Sequence, residues 1–124
     1  MPKYVKTTEQ ADDVLFAAFG TIGKGQDPKK TYLVKQGETI EGLVKEIKDS
    51  TVYKKIYTLE VKGAAKPVVI LGKTDLRNKM GHGVGNNDII VEVNDMVRIT
   101  FIDKKKTQKG YDWYDFEVEV AKGD

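Results

Sequence analysis

From Tyr32 to Val120, apolar side chains recur at every second position in run after run, and glycine, proline or asparagine punctuates the runs. A period of two belongs to half-buried strands, because successive side chains on a strand point to opposite faces. A chain of 124 residues with this much alternation is expected to form one mainly β domain. Val52–Lys62 sets Tyr53, Tyr57, Leu59 and Val61 against Lys54, Thr58, Glu60 and Lys62. Met96–Ile102 places Val97, Ile99 and Phe101 on one face and Arg98 and Thr100 on the other. Trp113–Val120 turns Tyr114, Phe116, Val118 and Val120 inward and Trp113, Asp115, Glu117 and Glu119 outward. Pro67–Leu71 is apolar on both faces and reads as a strand covered on both sides.

Between these runs the signals differ. Tyr32–Ser50 reads as one long strand, and Gly42 marks a bend of the kind a small closed barrel needs at its corners. Ile89–Val93 reads as a short added strand, and Asp103–Asp112 as a lysine-rich hairpin loop. Thr74–Met80 reads as a short helix, with Leu76 and Met80 four apart. A second helix is expected over residues 7–19: Ala11, Val14, Leu15, Ala18 and Phe19 form one stripe at helical spacing, and Gly20 stands where a helix would stop. Residues 20–31 form a Gly/Lys-rich loop that fails the phosphate-loop pattern, because Gly25 follows Gly23-Lys24 and Ala18 stands where the first glycine should be. The expected division is therefore residues 1–31 (helix and loop), 32–121 (barrel) and 122–124 (short tail).

Composition narrows the chemistry. Cysteine is absent and His82 is the single histidine, so thiolate chemistry, disulfides and multi-histidine metal sites have no residues to build them. His82, between two glycines, is expected to be a solvated loop residue, and Ser50 is the single serine. Asp88, Glu92 and Asp95 lack the order of a calcium loop. The expectation is a non-enzymatic protein with no cofactor and no metal. No apolar run approaches the ~20 residues of a membrane span, and no apolar stretch follows the basic start as in a secretory signal, so a cytoplasmic place without a membrane is expected.

The 21 basic residues nearly balance the 19 acidic ones, but the signs are segregated. Lys104, Lys105, Lys106 and Lys109 form one block, while Asp112, Asp115, Glu117, Glu119 and Asp124 crowd the end. Arg77 and Arg98 are the only arginines. Lysine is a mobile point charge, whereas arginine forks onto base edges, so this bias favours phosphate contact over sequence reading.

Five strands, with a helix between the third and fourth, match the OB-fold, a five-stranded Greek-key barrel. Gly37-Glu38-Thr39-Ile40-Glu41-Gly42, Tyr57-Thr58-Leu59-Glu60-Val61 and Val68-Val69-Ile70-Leu71-Gly72-Lys73-Thr74-Asp75-Leu76 carry a resemblance. So do Val93-Asn94-Asp95-Met96-Val97-Arg98-Ile99 and Lys109-Gly110-Tyr111-Asp112-Trp113-Tyr114-Asp115-Phe116. Together they resemble small single-stranded-DNA-binding OB-fold proteins encoded by phages of Gram-positive bacteria. The resemblance covers residues 32–120. It implies sequence-independent binding of single-stranded DNA in phage replication or recombination, inside the host cell, with replication or recombination proteins as partners. The chain ends at Ala121-Lys122-Gly123-Asp124 without the long acidic tail of cellular single-strand binders.

Single strands are held by cations that track phosphates and by aromatic faces that stack on bases. The strongest candidates are Lys104, Lys105, Lys106 and Lys109 with Tyr111 and Trp113. Lys54, Lys55 and Tyr57 form a second set, although the strand phase also assigns Tyr57 to the core. Lys35, Lys73, Arg77 and Lys79 are expected at the rim, and Arg98 is expected to pair with Glu117 or Glu119 across neighbouring strands. A homodimer would lengthen a site that one barrel limits to ~4–16 nucleotides. The alternative is a non-enzymatic β-barrel interaction or structural module of a phage. Its mark would be salt-independent association with a protein and indifference to oligonucleotides.

Overall fold

The computed structural model describes residues 14–83 and 89–123. They form a curled, barrel-like mixed sheet of seven strands with one short helix. The strands are β1 (Leu15–Phe19), β2 (Thr31–Val34), β3 (Thr39–Ser50), β4 (Lys54–Val61), β5 (Val68–Leu71), β6 (Met96–Lys106) and β7 (Asp112–Ala121). The helix α1 (Thr74–Lys79) lies between β5 and β6. The spatial order is β2-β1-β5-β4-β3-β6-β7, with β1 parallel to both neighbours and the other pairs antiparallel.

The sheet curls because β3 serves two neighbours in sequence. Its first half, Thr39–Leu43, pairs with β6, and from Gly42 to Ser50 it pairs with β4. Gly42 stands at the overlap. A Cβ there would lie 2.9 Å from the Glu60 carbonyl oxygen and 3.1 Å from side-chain atoms of both Leu59 and Val61. The bend expected at Gly42 is thus a close strand crossing, and the irregularity itself falls between Val44 and Glu46. Gly42→Ala should lower stability by about 1–3 kcal/mol, since the obstacle is backbone that cannot swing away. Chemical denaturation checks it; a midpoint equal to wild type would refute the crowding.

The inward faces close over a core that includes Ile40, Val44, Tyr57, Leu59, Val68, Ile70, Val97, Ile99, Phe101 and Phe116. Phe19 of β1 meets Phe116 of β7 edge-on, with ring centroids 4.8 Å apart, and lies 5.7 Å from Phe101. This contact brings the β1 side of the sheet round to the β6–β7 side. The helix α1 spans the remaining opening: Leu76 and the following Met80 are fully buried, and Asp75 accepts a hydrogen bond from the Phe116 amide at 2.8 Å. Lys79 pairs with Asp75 and Asp115 and donates to the Phe116 carbonyl.

Several expectations need correction. Residues 15–19 are strand and not helix, and Val14 before them is a bend; the rest of the expected helix, residues 7–13, lies outside the described residues. Leu-Phe-Ala-Ala-Phe satisfies a helical stripe and a buried strand equally well, and two ready-made neighbours, β2 and β5, decide for the strand. The segment expected to precede the barrel is therefore woven into its sheet. Tyr32–Ser50 is two strands, separated by a turn in which Gly37 takes φ 83°. Val52 and Tyr53 belong to a turn and not to β4. Ile89–Val93 is not a strand; Val91 alone is buried there. The expected hairpin loop is shorter: Asp103–Lys106 continue β6 opposite Asp112–Asp115, which leaves residues 107–111, with Lys109, as the tip.

Candidate nucleic-acid interface

The β6–β7 hairpin has two chemically different faces. Residues directly opposite one another in an antiparallel ladder share a face. Lys104 lies opposite Tyr114, and Lys105 opposite Trp113. Tyr114 shares the inward phase of Phe116 and lies 6.0 Å from Phe101 between ring centroids. Lys104 therefore lies on the concave side with Tyr114, and Lys105 on the other side with Trp113. The ring at the centre of the lysine cluster is Tyr114, which strand phase alone would place in the core.

Lys73, just after β5, completes the arrangement. Its ammonium sits 4.2 Å from the Tyr114 ring centroid, and that of Lys104 sits 5.6 Å from the same centroid. Burial pushes the Lys73 pKa down and the neighbouring Lys104 charge adds to this, while Asp112 opposes it. Lys104 is held above the usual lysine range by Tyr114 and by Asp112, whose carboxylate is 3.5 Å from its ammonium. Two ammonium groups thus approach one aromatic ring, and burial has partly stripped that of Lys73 of water. A phosphate oxygen bound beside them would offset the lost hydration of Lys73 and its repulsion by Lys104.

Lys73, Lys104 and Tyr114 line a cleft of about 250 Å³ together with Phe19, Gln26 and Leu71. Lys73 and Tyr114 also line a neighbouring cleft of about 180 Å³ with Thr74, Asp75, Asp112 and Trp113. Trp113 is 39% exposed at this edge, so its ring remains open to a ligand.

The other expected residues lie elsewhere. Tyr57 is fully buried, and its hydroxyl bonds His82 Nδ1 at 2.8 Å, so no base can stack on it. Burial raises the phenol's pKa far above its usual value. Arg77 donates to the Gly72 and Tyr53 carbonyls, tying α1 to the turn before β4. Lys79 is the clamp between α1 and β7 described above. Lys55 pairs with Asp49. Lys35 is exposed in the turn before β3 and Lys54 at the start of β4, and neither lines these clefts. Lys105, Lys106, Lys109 and Tyr111 are exposed on and around the hairpin tip, Tyr111 to 70%. Arg98 pairs with Glu41 and lies 3.9 Å from Glu119, so the expected cross-strand partner is present but is not the nearest.

His82 is not a solvated loop side chain. Its ring stacks on Tyr57 with centroids 5.6 Å apart, and Nε2 donates to the Val91 carbonyl at 2.9 Å. That donation leaves Nδ1 as acceptor for the Tyr57 hydroxyl, and burial lowers the imidazole's pKa. Among the described residues, no group of three or more His, Asp or Glu side chains is placed to hold a metal ion. Asp95 is instead enclosed by donors: the Gly123 amide on Oδ1, and the Glu92 amide and Lys122 ammonium on Oδ2.

No family model, no curated protein and no solved structure matches this chain.

Proposed function

We propose that this protein binds single-stranded DNA without regard to sequence, in phage replication or recombination. The observation that carries the reading is the pair of ammonium groups from Lys73 and Lys104 beside the Tyr114 ring in an open cleft, which adjoins a second one edged by Trp113. Cations beside exposed rings are the chemistry that holds unpaired nucleotides. Topology supports it. Strands β3 to β7 lie in the order β5-β4-β3-β6-β7 with α1 between β5 and β6, and we read them as a five-stranded OB-fold. In that fold, oligonucleotides bind on the face of the second and third strands and at the loops after the first and fourth. Here those features are β4 and β5, the turn of residues 51–53, and the hairpin tip of residues 107–111.

The lysine excess fixes the expected physical behaviour. If about five lysines meet phosphates, log affinity falls with log salt at a slope near −3.5, about a hundredfold between 50 and 200 mM. Oligo-dT should quench Trp113 fluorescence, and Trp113→Ala should weaken binding by ~1–3 kcal/mol at every sequence alike. No quenching, together with no mobility shift at low salt, would overturn the reading. Salt-independent association with a protein partner instead would favour an interaction module.

A further inference from the structure

The Gly/Lys-rich loop between β1 and β2 lends Gln26 to the hairpin cleft and also builds a wall beside it. The loop is shaped by its own hydrogen bonds. Gln26 Oε1 accepts from the Gly23 amide at 2.6 Å, the Asp27 carboxylate accepts from the Lys29 amide at 2.9 Å, and Thr31 Oγ1 donates to the Asp27 carbonyl at 2.7 Å. Beneath it, Phe16 lies opposite Thr31 on one side and Val69 on the other. Val68 and Ile70 turn into the core, so Phe16 and Val69 face outward, and Phe16 remains 42% exposed. Phe16, Lys30, Thr31 and Leu71 line a cleft of about 320 Å³ under the loop.

This cleft adjoins the hairpin cleft: both are lined by Ala17, Gln26 and Leu71. The hairpin cleft in turn adjoins, at Lys73 and Tyr114, the cleft edged by Trp113. Three adjoining clefts therefore carry Phe16, Tyr114 and Trp113, with Lys30, Lys73 and Lys104 among their lining residues. Lys24, Lys29 and Lys30 give the overhanging loop an excess of positive charge over Asp27, whose carboxylate is already engaged by a backbone amide. An exposed ring beside a loop with excess positive charge suits a base and its phosphate, the ring by stacking and the loop by its charge.

We propose that Phe16 is the stacking ring of a second nucleotide subsite, so that one single strand runs from the hairpin across β5 and β1 beneath the Gly/Lys-rich loop. This inference rests on the hairpin cleft being a single-strand site. The test compares labelled oligo-dT of about 4 and about 12 nucleotides, using the full chain and the variants Phe16→Leu and Phe16→Tyr. Phe16→Leu keeps apolar bulk and removes the ring. It should lose about tenfold or more in affinity for the long oligonucleotide and little for the short one, and Phe16→Tyr should keep both. Ultraviolet crosslinking of a 5-iodouracil-substituted long oligonucleotide should label Phe16. Unchanged long-oligonucleotide affinity in Phe16→Leu, an equal loss at both lengths, or crosslinks confined to β6 and β7 would overturn the second subsite and leave the hairpin site standing. Failure of the wild-type protein to bind either length would remove the hairpin reading and this one with it.

Discussion

Replacing Lys73 and Lys104 together by glutamine is expected to weaken oligo-dT binding about thirtyfold in low salt and to leave the fold intact. Each ammonium–phosphate contact near a surface is worth on the order of 1 kcal/mol, and losing two should flatten the salt slope by about 1.4. Stability should not fall, because burial and the Lys104 charge already disfavour the Lys73 ammonium in the folded chain. Glutamine relieves that cost. The same shift sets a pH dependence. A phosphate binds the charged form, and Lys73 loses its proton earlier than an ordinary lysine. Affinity should therefore decline as pH rises, before the usual lysine range near 10.4, and the decline should vanish in the variant. Fluorescence anisotropy across salt and pH measures both effects. A double variant that binds as wild type does, with the same salt slope, would remove these lysines from the interface.

The second large effect falls on stability. Asp95→Asn is expected to cost about 3 kcal/mol and to lower the melting temperature by roughly 10 °C. Both carboxylate oxygens accept hydrogen bonds, Oδ1 from the Gly123 amide and Oδ2 from the Glu92 amide and Lys122. An asparagine can present only one oxygen, so in either orientation its NH₂ meets another donor. Asp95 also fastens the chain end beside the segment that hooks onto β3, where the Val44 amide donates to the Asp95 carbonyl at 2.8 Å. Burial works against the charge of Asp95, but the Lys122 hydrogen bond and the two backbone amides prevail and hold its carboxyl below the usual range. A depressed folded pKa contributes stability that is present above the unfolded value near 3.9 and is lost as pH falls through the folded one. Asp95→Asn should therefore unfold less steeply than wild type as pH falls below about 4. Thermal melts across that range test it, and parallel curves would refute the linkage.

Single residues show how much could be read in advance and where reading stopped. Val97, Ile99, Phe101 and Phe116 were legible as core because strict alternation leaves one face to bury. Thr74–Met80 was legible because a short apolar pair four apart follows a strand. Tyr57 carried two readings, core by phase and platform by its lysine neighbours, and burial decided for the core. The lysine block misled because charge resembles a loop: Lys104–Lys106 are strand, held there by ladder bonds to Asp112–Tyr114 that no local propensity records. Phe16 gave no signal, since its exposure depends on β1 lying between β2 and β5.

By itself, the order of residues determined that this chain is mainly β, which side chains of β6 and β7 turn inward, and that all but two of its basic residues are lysines. These are properties of neighbouring residues and of side-chain chemistry. Tertiary structure alone decided that Leu15–Phe19 is a strand, that His82 caps Tyr57, and that Lys73 and Lys104 converge on Tyr114 from distant parts of the chain. The physical reason is that each of these depends on which distant segments supply hydrogen-bond partners and exclude water, and pairing across such separations leaves no periodic trace in the segments themselves.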